Sequence, residues 1–126
     1  MFRFLKKFMG PLRLSIAVLI LSSGLSSTLR AAPLEDAKMG LAALVRGDYE
    51  KAVLLNTRAI QTGALERESL AIAYYNRGMG YQKLQKPDLA IKDFKQAYES
   101  WPEHPLTQEK MRGLGLFDKP QDKVAD

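Results

Sequence analysis

Small and aromatic residues recur at helical spacings in the second half of this chain. Between Ala71 and Pro102 the sequence reads AIAYYNRGMGYQKLQKPDLAIKDFKQAYESWP. Small residues on one face of a helix allow a second helix to approach closely, and aromatic residues fill the space beside them. The segment therefore predicts two packed helices joined by a short polar turn. The pattern is carried by Gly78, Tyr81, Ala90, Phe94, Ala97 and Pro102.

The first half of the chain repeats this pattern less completely. GDYEKA at 47–52 corresponds to QKPDLA at 85–90, so that Ala52 and Ala90 are 38 positions apart. Gly40 and Gly78 each lie twelve positions before the corresponding alanine. Asn56 stands in the place of the aromatic Phe94, and Ala64 replaces the closing proline. The sequence TGALERESLA supplies about one extra helical turn between the copies, after a left-handed cap at Gly63.

The pattern resembles the tetratricopeptide repeat, a 34-residue helix–turn–helix unit, over roughly residues 34–102. The chain resembles the small exported bacterial type of this family, with two repeats. It implies an all-α fold, an α-solenoid of about two repeats closed by a capping helix. The structural repeat positions that it implies are Gly40, Ala52, Ala59, Gly78, Tyr81, Ala90, Phe94, Ala97 and Pro102.

A capping helix is predicted from about Pro105 to Arg112, because proline suits a first helical turn and Gly113 can end the helix. The residues beyond Lys119 have too little apolar surface to fold. The predicted organisation is therefore a leader at 1–31, a repeat domain at 32–113 and a mobile tail at 114–126.

Residues 1–31 have the features of a secretory signal peptide. A basic start precedes an apolar run from Leu14 to Leu21, and small residues follow at Ala31 and Ala32. The run is short for a bilayer-spanning helix, although SSGLSSTL extends it weakly, so an uncleaved membrane anchor is the alternative. A mitochondrial presequence is disfavoured, since a continuous apolar run makes no amphipathic face.

The net charge of +5 belongs to this leader. Five of the 19 basic residues lie before residue 32, which leaves 14 basic and 14 acidic residues in the remaining chain. A nucleic-acid partner is therefore not expected. The chain has no cysteine and no Asn-x-Ser/Thr sequon. These features favour a periplasmic or secreted bacterial protein, with an inner-membrane-anchored form facing the periplasm as the alternative.

No pattern of catalytic or metal-binding residues is present in the sequence. Catalysis by a nucleophile and a base needs two groups within hydrogen-bond reach, and the single histidine, His104, lies between two prolines. We interpret it as a solvated turn residue. One histidine, no cysteine and scattered carboxylates do not predict a metal site. The sequence therefore predicts a non-enzymatic protein without a cofactor.

The resemblance implies a concave groove lined by the first helix of each repeat. Such a groove binds another protein or a peptide, and its apolar lining favours an apolar or amphipathic segment. The alternative is a structural homo-oligomer that self-associates through the same face. The groove positions are Leu34, Ala37, Leu41, Leu44, Ile72, Tyr75, Asn76, Met79 and Gln82.

Asn76 also matches one member of the clamp with which some repeat proteins hold the carboxyl tails of chaperones. That clamp needs a lysine and an asparagine in the first repeat, where this chain has Ala37 and Leu41. It also needs basic residues from a third repeat. A carboxylate clamp is therefore not expected, and Asn76 is interpreted as a structural contact in the groove wall.

Overall fold

A computed structural model describes residues 32–117, and this part of the chain is built from helices without a strand. The finding confirms the predicted all-α architecture. The predicted leader and residues 118–126 of the predicted tail lie outside the described residues. The helices are α1 (32–46), α2 (Tyr49–Gln61), α3 (Arg67–Lys83), α4 (Pro87–Ser100) and α5 (Pro105–Gly113).

Local sequence sets where these helices begin and end. The Asp48 side chain accepts a hydrogen bond from the Lys51 backbone N–H at 3.3 Å, which caps the start of α2. Pro87 occupies the first turn of α4, where its missing N–H costs nothing. Gly63 has a φ of +66° just after α2, so the predicted left-handed cap is confirmed. α1 packs against α2, and α3 packs against α4, and α5 follows the second of these two helix pairs.

The pairs are held together at positions that lack bulky side chains. A Cβ atom on Gly78 would lie 2.8 Å from the Phe94 ring, and one on Gly40 would lie 2.9 Å from Cγ of Asn56. Both distances are too short for a side chain, so each glycine marks a close helix crossing. The predicted small positions Ala52, Ala59, Ala90 and Ala97 are also buried.

The second pair and α5 share an aromatic core around Phe94, Ala90 and Met111. Leu116 and Phe117 pack against the same core, and the rings of Tyr98 and Phe117 meet edge to face at 5.2 Å. The described chain is thus packed through Phe117, beyond the predicted boundary at 113. These two apolar side chains follow Gly115, whose φ of +67° turns the backbone at the end of α5.

An ion pair that the sequence analysis did not predict joins three helices. The Arg77 guanidinium donates to both carboxylate oxygens of Asp93, with Nε–Oδ2 and Nη2–Oδ1 distances of 2.7 and 2.8 Å. Its remaining nitrogen donates to the Thr57 hydroxyl at 3.2 Å. Asp93 is almost completely buried, and the Arg77 guanidinium lies over the Tyr74 and Tyr81 rings. The pair therefore fastens α3 to α4 and also to α2.

Candidate functional site

The structure distributes the predicted groove residues over three levels of exposure. Leu34, Leu41, Ile72 and Gln82 are exposed, whereas Leu44, Tyr75 and Met79 are half-buried. Ala37 and Asn76 are buried, so neither presents a side chain to a partner. Fewer of the predicted groove side chains are therefore available to a partner than the resemblance implied.

Ala37 and Asn76 are buried for different reasons. Ala37 packs against Ala59 and Ala73 where α1, α2 and α3 meet, and its small side chain allows that junction to close. Asn76 lies beneath the groove surface, and within residues 32–117 its Nδ2 has no hydrogen-bond partner. Its placement as a groove residue is corrected, and its amide is not displayed as a clamp would require.

An exposed apolar stripe runs along α1. Leu34, Leu41 and Val45 are spaced seven and four residues apart, which places them on one side of the helix. The side chain of Val45 is 79% exposed, the largest fraction among the exposed large apolar residues of the described chain. Sequence analysis missed Val45, although its spacing of four from Leu41 was a usable signal.

A cleft of ≈ 410 Å³ lies between α3 and α5. Tyr75 and Gln82 line it from α3, and the Nζ of Lys110 donates to Oε1 of Gln82 at 3.2 Å across it. From α5 and the turn after it, the lining residues are Leu106, Glu109, Lys110, Gly113 and Leu114.

The sequence analysis missed this side of the cleft because it treated α5 only as a cap. Leu106 and Glu109 each stand 34 positions, one repeat length, after Ile72 and Tyr75. That spacing was the available signal. The cleft-lining residues of α5 thus stand one repeat length after residues of α3, and we call the exposed surface of α1, α3 and α5 the groove face.

Tyr75 connects the cleft to the core. Its ring centroid lies 5.7 Å from that of Phe94 and 5.7 Å from that of His104. Burial raises the pKa of the Tyr75 phenol, and the negative charge of Glu109 raises it further. The phenol is therefore neutral at physiological pH, and its ring packs against the core.

His104 is buried rather than solvated, so its interpretation as an exposed turn residue is wrong. Its ring stacks on Trp101 with a centroid distance of 4.8 Å, and its Nδ1 lies 2.7 Å from Oγ1 of Thr107. The residue is only 9% exposed because Trp101 and Tyr75 enclose the ring. Burial lowers the pKa of the imidazole.

The described residues contain no group of three or more His, Cys, Asp or Glu side chains that could hold a metal ion. In the same part of the chain, none of the helices has the length and apolar character needed to cross a membrane.

Comparison with protein families finds a match for the second helix pair. Residues 71–104 match the family model of the tetratricopeptide repeat, a span that begins in α3 and ends at the start of α5. Residues 71–104 therefore form a tetratricopeptide repeat. Searches with the chain found no match among curated proteins and none among solved structures.

Tetratricopeptide repeats generally mediate protein–protein interaction and are generally non-enzymatic. The groove face is therefore the candidate functional site of this chain. Its members are exposed or half-exposed side chains in α1, α3 and α5 and in the turn after α5, and Leu34, Ile72 and Leu106 among them stand 38 and 34 positions apart.

Proposed function

We propose that the groove face binds an apolar or amphipathic segment of another protein, in the helix-in-groove manner, without catalysis and without a cofactor. The observation that carries the proposal is the exposure of large apolar side chains on all three helices of this face. Contiguous apolar surface on a soluble domain usually marks an interaction site. The residues are Leu34, Leu41 and Val45 on α1, Ile72 on α3, and Leu106 and Leu114 in and after α5.

The charges around the cleft support an apolar rather than an electrostatic mode of binding. The lining holds one carboxylate, Glu109, and one ammonium, Lys110, so the two formal charges cancel. Partner binding is therefore expected to weaken little between low and moderate salt, unlike binding to phosphates, which falls steeply.

The experiment compares three charge substitutions at exposed leucines. Leu41→Glu and Leu106→Glu place a carboxylate on the groove face, where burial without a counter-charge is costly. Leu89→Glu on α4 is the matched control, since Leu89 and Leu41 are 43% and 44% exposed. Tyr75 and Met79 are unsuitable because they pack against the core.

We expect both groove variants to lose the protein that the parent captures from its native envelope, and Leu89→Glu to retain it. Thermal midpoints should agree among all four proteins, because the three leucines are exposed. Retention of the captured protein by both groove variants would place the working surface elsewhere, for example on the second helices.

Self-association through the same face is the second candidate function. It is favoured by the large exposed fraction of Val45, which a single chain leaves uncovered. A homo-oligomer of the parent should be visible by sedimentation at micromolar concentration and should dissociate in Leu41→Glu. A partner-binding protein should sediment as one chain in both cases.

We further propose that the protein is exported, with the repeat domain in the periplasm or outside the cell. The support is the signal-peptide pattern of residues 1–31 together with the absence of cysteine. N-terminal sequencing should find a mature chain that begins near Ala32. A membrane-bound product that retains Met1 would instead support the anchored form.

A further inference from the structure

The start of α5 is built around the single histidine of the chain. His104 is the N-cap residue of α5, and its backbone carbonyl accepts the first helical hydrogen bond, from the Gln108 N–H, at 3.0 Å. Its ring lies between Trp101 and Tyr75, and Nδ1 is 2.7 Å from the Thr107 hydroxyl. The imidazole therefore contacts α3, the end of α4 and α5 at once.

This environment accommodates a neutral imidazole better than a charged one. The ring is buried, and the N-terminus of a helix carries a partial positive charge that repels a cation. Within residues 32–117 no carboxylate forms an ion pair with His104. The indole face of Trp101 attracts a cation and acts in the opposite sense. Burial lowers the pKa of the imidazole.

The other titratable groups near His104 do not supply a counter-charge. Tyr75, on α3, is a neutral phenol, and its pKa is raised by burial. Glu103 adjoins His104 in the turn and is exposed to water. On α5, Glu109 and Lys110 line the cleft together. An imidazolium at this position would be both desolvated and unpaired.

We propose that His104 is a pH-sensitive latch, and that its protonation releases the first turn of α5 from Tyr75 and loosens the end of the cleft that Tyr75 and Leu106 line. The release is local, because Met111 remains anchored in the core and Lys110 still bonds to Gln82. The inference goes beyond the proposed function and does not depend on any partner.

The direction of the pH dependence follows from the sign of the shift. The pKa of His104 in the folded chain lies below the ordinary value of 6.5. The stabilisation from the neutral imidazole is therefore fully present above pH 6.5 and is lost as the pH falls through the lowered pKa. The latch is closed at neutral pH and opens in mildly acidic solution.

The chain contains one histidine and one tryptophan, so each can be observed without assignment. In the full chain, proton NMR of the imidazole should give a titration midpoint below 6.5, and Trp101 fluorescence should change with the same midpoint. Amide protection factors of residues 108–110, corrected for intrinsic exchange, should fall by up to about tenfold per pH unit between pH 6.5 and that midpoint, and should level off below it.

The matched control is His104→Asn, since asparagine is a favoured N-cap residue and does not titrate in this range. Its fluorescence and its α5 protection should be flat from pH 7.5 to 5, and His104→Gln provides a second neutral variant if the first fails to fold. A parent midpoint at or above 6.5 would overturn the latch. Unchanged protection of α5 in the parent, or an equal loss of protection in a neutral variant, would overturn it too.

Discussion

The two helix pairs share a backbone plan but differ in what fills it. After α1, the Gly47 N–H bonds to the Leu44 carbonyl, and after α3 the Gln85 N–H bonds to the Gln82 carbonyl, both at 3.1 Å. The next residue in each case bonds five positions back, at 2.9 Å. These are the two hydrogen bonds of a Schellman turn. The same turn thus forms in both pairs.

The side chains opposite the two glycines show the difference. Gly78 faces the ring of Phe94, whereas Gly40 faces the amide of Asn56. Asn56 donates to the Ala52 carbonyl at 2.8 Å, but its buried Oδ1 has no partner among the described residues. The first pair therefore keeps the close crossing and loses the apolar filling.

The two helix pairs also differ in their ion pairs. Met39 and Leu55 stand 38 positions before Arg77 and Asp93, so the first pair has no equivalent of the bidentate bond. Its own ion pair, Arg58–Asp36 at 3.2 Å, involves an arginine that is mostly exposed. The two pairs therefore share a close helix crossing although the side-chain contacts around it differ.

The largest predicted effect comes from removing one partner of the buried ion pair. Asp93→Ala should destabilise the domain by roughly 3–5 kcal/mol, because it leaves Arg77 buried without a counter-charge. Asp36→Ala in the first pair should cost at most about 1 kcal/mol, since Arg58 is solvated. Urea unfolding of both variants measures the difference, and equal losses would show that the two pairs do not differ in this way.

A smaller loss is expected from overfilling the second helix crossing. Gly78→Leu should cost about 1–3 kcal/mol or more, because its side chain would be forced into the Phe94 ring. Gly113→Leu is the matched control, since a Cβ at that position meets nothing within 4 Å. An unchanged thermal midpoint for Gly78→Leu would contradict the helix pairing.

The fold was predictable because it depends on local patterns. Small residues at Gly78 and Ala90, the proline of α4 and the cap at Gly63 each specify geometry within a few residues, and the structure confirms the all-α arrangement. The Arg77–Asp93 pair was not predictable in this way. Its partners are 16 positions apart, and charged residues in a helical pattern are normally solvated.

The candidate site was only partly predictable. Repeat spacing placed Leu41 and Ile72 on the exposed face, but it could not show that Ala37 is covered by α2 and α3. The burial of His104 depends on Trp101 and Tyr75, which lie on different helices. Burial of this kind depends on how the helices pack together, which a periodic pattern in one segment does not specify.

The smallest predicted change in stability concerns the two Schellman turns, after α1 and after α3. They have the same backbone conformation but different residues at the left-handed position. Gly47 has a φ of +83°, and Gln85 has a φ of +58°, a left-handed conformation that strains a residue with a side chain. Gly47→Gln should therefore destabilise the domain by about 1 kcal/mol. A Cβ on Gly47 comes no closer than 3.8 Å to Tyr49, so the cost is in the backbone alone.

The reverse change, Gln85→Gly, should stabilise the domain by only about 0.5 kcal/mol, since glycine also gives the unfolded chain more freedom. For a domain of this size, 1 kcal/mol corresponds to a shift of about 4–8 °C in thermal midpoint, so calorimetry can resolve both variants. Opposite signs are the required result. If both substitutions destabilise, the side chain of Gln85 makes a contact worth more than its backbone strain, and the two turns are equivalent in geometry but not in energy.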